Sequence, residues 1–311
     1  MKIKLTQPAL KVIYIILLLV IPASLTLVSV IEPGQMRIDS DNPTPFGYTI
    51  SLSLFLIPAC ALAFWFLKKD GLAMQKKAFR FTLIMLTPTG IILDVLFGNA
   101  FFSFSNHNAV IGITFPAVGG PLPIEELIFY LSGFATVLLI YIWCDEYWLE
   151  KYNIPDYKAS TQNIDKIIQL HPNSLLIGLV LIVMAIIYKK IFSGEAGFPW
   201  YFIYLTIVAL VPSMVLYKCA RNFINWRAFS LTFIIIVLIS LLWEVTLALP
   251  YGWWNFRHEN MIGIYIKAWH DLPIEEIVVW FTVSFASVIF YETMKIWLTC
   301  QKSFTQAFLG R

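Results

Sequence analysis

Apolar residues along this chain come in long blocks divided by short polar stretches. A helix needs about 20 such residues to cross the hydrocarbon core of a bilayer. Eight blocks reach that length or come close, and each predicts a helix: 12–31, 48–67, 81–97, 127–144, 173–188, 198–217, 228–249 and 277–299. The fifth has the shortest apolar run, and Lys189 and Lys190 just beyond it are expected to stretch toward the interface. The first block follows Lys2, Lys4 and Lys11, as a signal peptide would. It continues to Ile31 with no A-x-A site, and so predicts a retained helix.

The blocks repeat. Pro123-Ile124-Glu125-Glu126 returns as Pro273-Ile274-Glu275-Glu276, and the same offset of 150 carries Asp94 onto Glu244. In both halves an acid near the end of one helix precedes, by 29 residues, the proline that opens the next. The expected division is a leading helix and loop (1–47), a first repeat (48–145), a linker with one helix (146–197), a second repeat (198–298) and a tail (299–311). Four crossings separate the starts of the two three-helix repeats, so they enter the membrane from the same side, as parallel repeats do. The fold expected is all-α and membrane-integral, with both acidic motifs at one face of the bilayer.

Charge orients the bundle. With eight crossings, one side carries 17 of the 22 lysines and arginines, and the other has Arg37, Lys189, Lys190, Arg257 and Lys267. The positive-inside rule then places both termini in the cytoplasm and the motifs on the far side. The chain is 59% hydrophobic and 13% charged, against about a quarter charged for a soluble domain. A net charge of +3 gives no footprint for nucleic acid. Cys60, Cys144, Cys219 and Cys300 are scattered, with no metal or disulfide spacing. His107, His258 and His270 lack ligand spacing, and neither a nucleotide-binding glycine pattern nor an aspartate-rich diphosphate site is present.

The candidate chemistry lies in the acids. Proline suits the first turn of a helix, and glutamates there complement the positive end of its dipole. One such motif is a start signal. Two, each tied to a separate acid, point further. A carboxyl inside a membrane helix costs about 2.5–3.5 kcal/mol on insertion scales and usually faces the bundle interior. The loops between acid and motif are aromatic on this side: Phe101, Phe102, Phe104 and Phe115 in one, Tyr251, Trp253, Trp254, Phe256, Tyr265 and Trp269 in the other. Carboxyls crowded in an apolar chamber share protons, so a neutral acid and an ionised neighbour can coexist there. Aromatic faces stabilise cations. Together they suit protonation of an alkene, closure of a ring and loss of a proton.

The twin P-x-E-E motifs in tandem three-helix units resemble the membrane-integral, cofactor-free lycopene cyclases, which occur as two small bacterial subunits or fused in fungal bifunctional enzymes. The likeness covers about 48–297 and is closest at Trp243-Glu244, at Gly252-Trp253-Trp254-Asn255-Phe256 and at 273–276. It implies cyclisation of the linear ends of lycopene, or a related linear carotenoid, to β-ionone rings in a bacterial plasma membrane. No cofactor, metal or net redox change is involved. It carries motif roles onto Glu125, Glu126, Glu275 and Glu276. The second motif supplies the expected general acid, Glu275 or Glu276, with Glu244 as its partner, and Asp94 and the first-motif acids act from the opposite wall. Trp243, Trp253, Trp254, Phe256 and Trp280 are candidates for the substrate lining. Phe129-Tyr130 and Val279-Trp280 stand where the family usually has paired phenylalanines, and Leu93 stands where the second unit has Trp243. The oligomeric state is left open. A carotenoid hydratase is one rival reading. A proton-coupled transporter is another, to which Pro58 and Pro212, four residues out of register, lend little.

Overall fold

The computed structural model describes residues 44–310, so the helix expected over 12–31 lies outside the described residues. Seven long apolar helices follow in order: α1 (Gly47–Lys68), α2 (Ala73–Phe101), α3 (Glu125–Trp148), α4 (Pro172–Phe192), α5 (Trp200–Val215), α6 (Trp226–Ala248) and α7 (Glu275–Thr299). Six have the length and composition to cross a membrane, and α5 is the short one at 16 residues. The protein is an integral membrane protein of all-α type. α2 starts eight residues before the predicted boundary at 81, because Lys76, Lys77 and Arg80 are helical too. Lys76 bends back and donates to the carbonyls of Leu67 and Lys69 at 2.9 and 2.8 Å, which closes the turn between α1 and α2.

The two repeats are α1–α3 and α5–α7. In each, the first and second helices pack on the third. α3 and α7 also pack on each other, and each receives the second helix of the opposite unit, α6 on α3 and α2 on α7. They are the most buried spans. Equivalent residues meet across this contact: Tyr141 and Tyr291 sit edge to face with ring centroids 5.9 Å apart. A pseudo-two-fold axis therefore runs between α3 and α7. α4 lies outside this core and packs on α5, where Leu210 presses against Gly178.

The helix-joining loops are stitched at the motif end. Among the described residues, strands occur only as two-residue pairs. β1 (Phe102–Ser103) and β4 (Asn255–Phe256) join the loop of one unit to that of the other. β2 (Thr114–Phe115) with β3 (Leu122–Pro123), and β5 (Tyr265–Ile266) with β6 (Leu272–Pro273), fold each loop back onto its motif proline. The carbonyls at the end of α2, which have no partner within the helix, are met from the second unit's loop. Arg257 donates through its backbone N–H to Phe101 at 2.9 Å and through Nε to Asn99 at 2.7 Å, and Asn260 donates to Ala100 at 2.6 Å. A guanidinium at a helix C-terminus also complements the dipole.

The offset between units is not constant. It is 150 at Asp94 and Glu244 but 151 at the turns His107–Ala109 and His258–Asn260. The last turn of α6, Glu244–Ala248, is π-helical, with the Leu249 N–H donating to Glu244 at 2.9 Å. A π-turn holds one extra residue within a helix, which accounts for the step. Lys189 corrects a sequence expectation. It is buried, and binds the Glu195 carboxylate at 3.0 Å and the His258 carbonyl at 3.4 Å, rather than stretching to the interface. Glu195 and the second unit's loop supply the partners that make its burial tolerable.

Candidate active site

The glutamates of each motif divide their work by geometry. Neighbours on a helix point about 100° apart. The first of each pair turns back to its loop: Glu125 accepts the Ile111 N–H at 2.8 Å and the Thr49 hydroxyl at 2.5 Å, and Glu275 accepts the Ile262 N–H at 2.5 Å. The preceding isoleucines reinforce this, Ile124 donating to Ile113 at 2.9 Å and Ile274 to Ile264 at 3.0 Å. Glu125 and Glu275 thus pin the loops to the helix starts and do not line the cavity beneath.

Glu126 and Glu276 do line it. The cavity measures about 380 Å³ and lies between the units, within the size range of small-molecule sites. Four carboxyls face it in two pairs, Asp94 with Glu126 and Glu244 with Glu276. All four are buried. Tyr48 donates to Glu126, and Tyr130 reaches Asp94 at 3.5 Å. Ser240 donates to Glu244 at 3.0 Å, and Tyr201 and Trp280 stand beside the second pair. One oxygen each of Asp94, Glu244 and Glu276, and the indole N–H of Trp280, has no hydrogen-bond partner among the described residues. The three oxygens belong to buried carboxyls that face a largely apolar cavity, where a proton can be held or passed.

The rest of the lining is aromatic and aliphatic. Trp243, Trp254, Trp280, Phe129 and Tyr130 are brought to the cavity. Trp243 and Trp254 stand 4.7 Å apart, Phe129 lies 5.3 Å from Trp243, and Phe129 meets Trp280 edge-on at 5.8 Å. Such faces suit a cation. Trp253 and Phe256 are placed elsewhere. Trp253 packs on Gly47, where a side chain would meet its ring at 2.4 Å, and donates to Thr44 at 3.1 Å. Phe256 is held in the β1–β4 pair against Phe102 at 5.7 Å.

Sequence reasoning missed Tyr48, Tyr201 and Tyr204. Tyr48 and Tyr201 play matching parts on the first helix of each unit, but 153 residues apart, so a strict offset of 150 hides them. The signal was present in Pro58 and Pro212, displaced by a similar four residues: the chain runs 46 residues from Tyr48 to Asp94 but 43 from Tyr201 to Glu244. Gly90 was missed too. A Cβ there would meet Tyr130 and Phe134 at 2.7 and 2.8 Å. Among the described residues no three His, Cys, Asp or Glu are placed to hold a metal ion.

Fold and site together define an integral membrane protein in which two related three-helix units enclose one acidic, aromatic-lined cavity. A family model described as lycopene cyclase matches residues 47–144 and 198–294, one span in each unit. The chain belongs to the lycopene cyclase family, a family of enzymes acting on carotenoids in membranes. Comparison with curated proteins gave no match, and neither did comparison with solved structures.

Proposed function

We propose that the protein closes the linear ends of lycopene, or a related acyclic carotenoid, to β-ionone rings without net oxidation or reduction. The observation that carries this reading is the convergence of two carboxyl pairs on one cavity with a largely aromatic and aliphatic lining. A neutral carboxyl of the second pair, Glu276, gives its proton to the terminal alkene, and a C–H bond forms. The neighbouring alkene attacks the resulting cation, and a C–C bond closes the ring. The new cation lies among Trp243, Phe129 and Trp280. An ionised carboxylate then removes the ring proton, a part taken by Glu244, which shares the site with Glu276. Proton gained and proton lost balance, so the product is an isomer of the substrate. Asp94 and Glu126 face the same chamber from the other unit and supply a second acid pair. General acid–base assistance of this kind contributes about 10²–10⁴ in rate.

The test is expression in cells that accumulate lycopene, followed by pigment analysis. Monocyclic or bicyclic carotenoid is expected with the wild type and lycopene alone with Glu276→Gln. Unchanged lycopene despite confirmed membrane insertion of the wild type overturns the reading.

A further inference from the structure

The pseudo-two-fold arrangement gives the cavity two equivalent side seams, and they differ. One lies between α1 and α6. Phe55 of α1 is fully buried there, 5.2 Å from Trp243, 5.9 Å from Phe129 and stacked on Trp280 at 5.5 Å. Trp243 also donates to Ser51 of α1 at 2.7 Å, which ties the two helices together. This seam is filled by rings.

The other seam lies between α2 and α5. These helices meet chiefly at their loop ends, where Phe97 and Phe101 touch Tyr204 at 5.6 and 5.2 Å and Phe101 touches Tyr201 at 4.7 Å. Deeper in the bundle they part, and both line the cavity: Leu86, Gly90 and Leu93 from one, Val208, Val211 and Pro212 from the other. The positions that hold the plug in the closed seam carry smaller side chains here. Leu93 is the equivalent of Trp243 at the offset of 150, and Val208 is the equivalent of Phe55 at the first-helix offset of 153. Phe97, Ile207 and Val211 line the cavity and are also 41%, 46% and 53% exposed. The slot is therefore open toward the bilayer. From Phe101 back to Leu86 it descends about 22 Å at 1.5 Å per residue, well into a hydrocarbon core about 30 Å thick.

We propose that the α2–α5 seam is the lateral portal for the substrate: the acyclic end lies at the carboxyls while its conjugated tail runs out between Gly90, Leu93, Val208 and Val211 into the lipid. The α1–α6 seam is a wall. The occupant follows from chemistry: a slot closed by rings at its polar end and open to hydrocarbon along its side admits a long apolar chain whose end is to be protonated. This inference rests on the cyclase reading above.

The experiment transplants the plug. A Leu93→Trp/Val208→Phe double variant is expressed in lycopene-accumulating cells beside Leu238→Trp and Leu242→Trp, two lipid-facing positions of α6 that do not line the cavity. Cyclised pigment should fall at least about tenfold in the double variant and stay within about twofold of wild type in the controls. Double-variant activity equal to the controls, with Glu276→Gln inactive, overturns the portal and leaves the cyclase reading intact. A wild type that leaves lycopene unchanged overturns that reading and the portal with it. Photo-crosslinking covers the case of a double variant that fails to accumulate. A benzophenone amino acid at Ile207 should attach to lycopene in Glu276→Gln membranes and one at Leu238 should not. Attachment at Leu238 equal to or above that at Ile207 overturns the portal.

Discussion

Asp145 and Lys295 occupy equivalent positions in the two units, 150 residues apart, and meet as a buried ion pair at 3.5 Å. The contact sits at the end of α3 and α7 remote from the cavity. Lys295 also binds Glu292 at 3.2 Å and lies 3.7 Å from Glu146. Tyr141 and Tyr157 donate to Glu292 at 2.9 and 3.0 Å, and Asn225 donates to Asp145 at 3.0 Å. Burial, and then the Glu292 carboxylate, push the Tyr157 hydroxyl well above its ordinary value, so it remains a donor. Because the two positions face each other across the axis, a unit paired with its own copy would set Asp145 against Asp145 or Lys295 against Lys295. Only the mixed pairing is neutral at that point.

Removing the ammonium leaves three carboxyls around an empty centre. Lys295→Met is expected to destabilise the protein by about 3–5 kcal/mol, as for other buried pairs broken on one side. Lys295→Arg should retain most of the stability. Thermal melting in detergent reads both. A melting temperature for Lys295→Met within the scatter of wild type would show that the pair adds little.

The two glutamates of the second motif should separate by phenotype. Glu276→Gln is expected to reduce cyclisation by about 10²–10⁴ with normal membrane accumulation. Glu275→Gln weakens the clasp on the Ile262 amide and should cost about 1–3 kcal/mol of stability, with cyclisation per folded molecule largely kept. Pigment analysis normalised to protein level distinguishes them, and an inverted pattern would refute the division of roles.

Tyr48→Phe keeps the ring against Trp254, 5.1 Å away, and removes the hydroxyl from Glu126. A hydrogen bond contributes about 0.5–1.5 kcal/mol, so a fall in rate of several-fold is expected if the first acid pair takes part in turnover. Initial rates in isolated membranes supply the measurement. An unchanged rate would restrict the chemistry to Glu244 and Glu276.

Gly90→Val should narrow the chamber at Tyr130 and Phe134, whose rings already approach the site of a Cβ closely. Cyclisation is expected to drop several-fold or more while Gly133→Ala, which meets nothing within 4 Å, is tolerated. Equal activity of the two variants would mean that the rings yield freely.

Much of this was legible in the chain. Hydropathy located every described span because a bilayer tolerates few other solutions, and the paired motifs with Asp94 and Glu244 revealed the duplication. What stayed hidden depended on tertiary contacts. Glu275 and Glu276 read alike in sequence, and the amide of Ile262 decides which one turns inward to the cavity. Trp253 looked like lining because it adjoins Trp254, yet a bare Gly47 gives it a flat surface elsewhere. Tyr48 and Tyr201 escaped because a shorter run of chain between first helix and acid in the second unit changes the numbering without changing the place.

α4 packs mainly on α5, at the edge of the bundle, yet the topology hangs on it. Three crossings end on the side opposite their start, so two triplets joined directly would point in opposite directions. The odd helix between them restores the direction. Deleting it would deliver Glu244 and Glu276 to one side of the bilayer and Asp94 and Glu126 to the other, and the four carboxyls would no longer share a chamber.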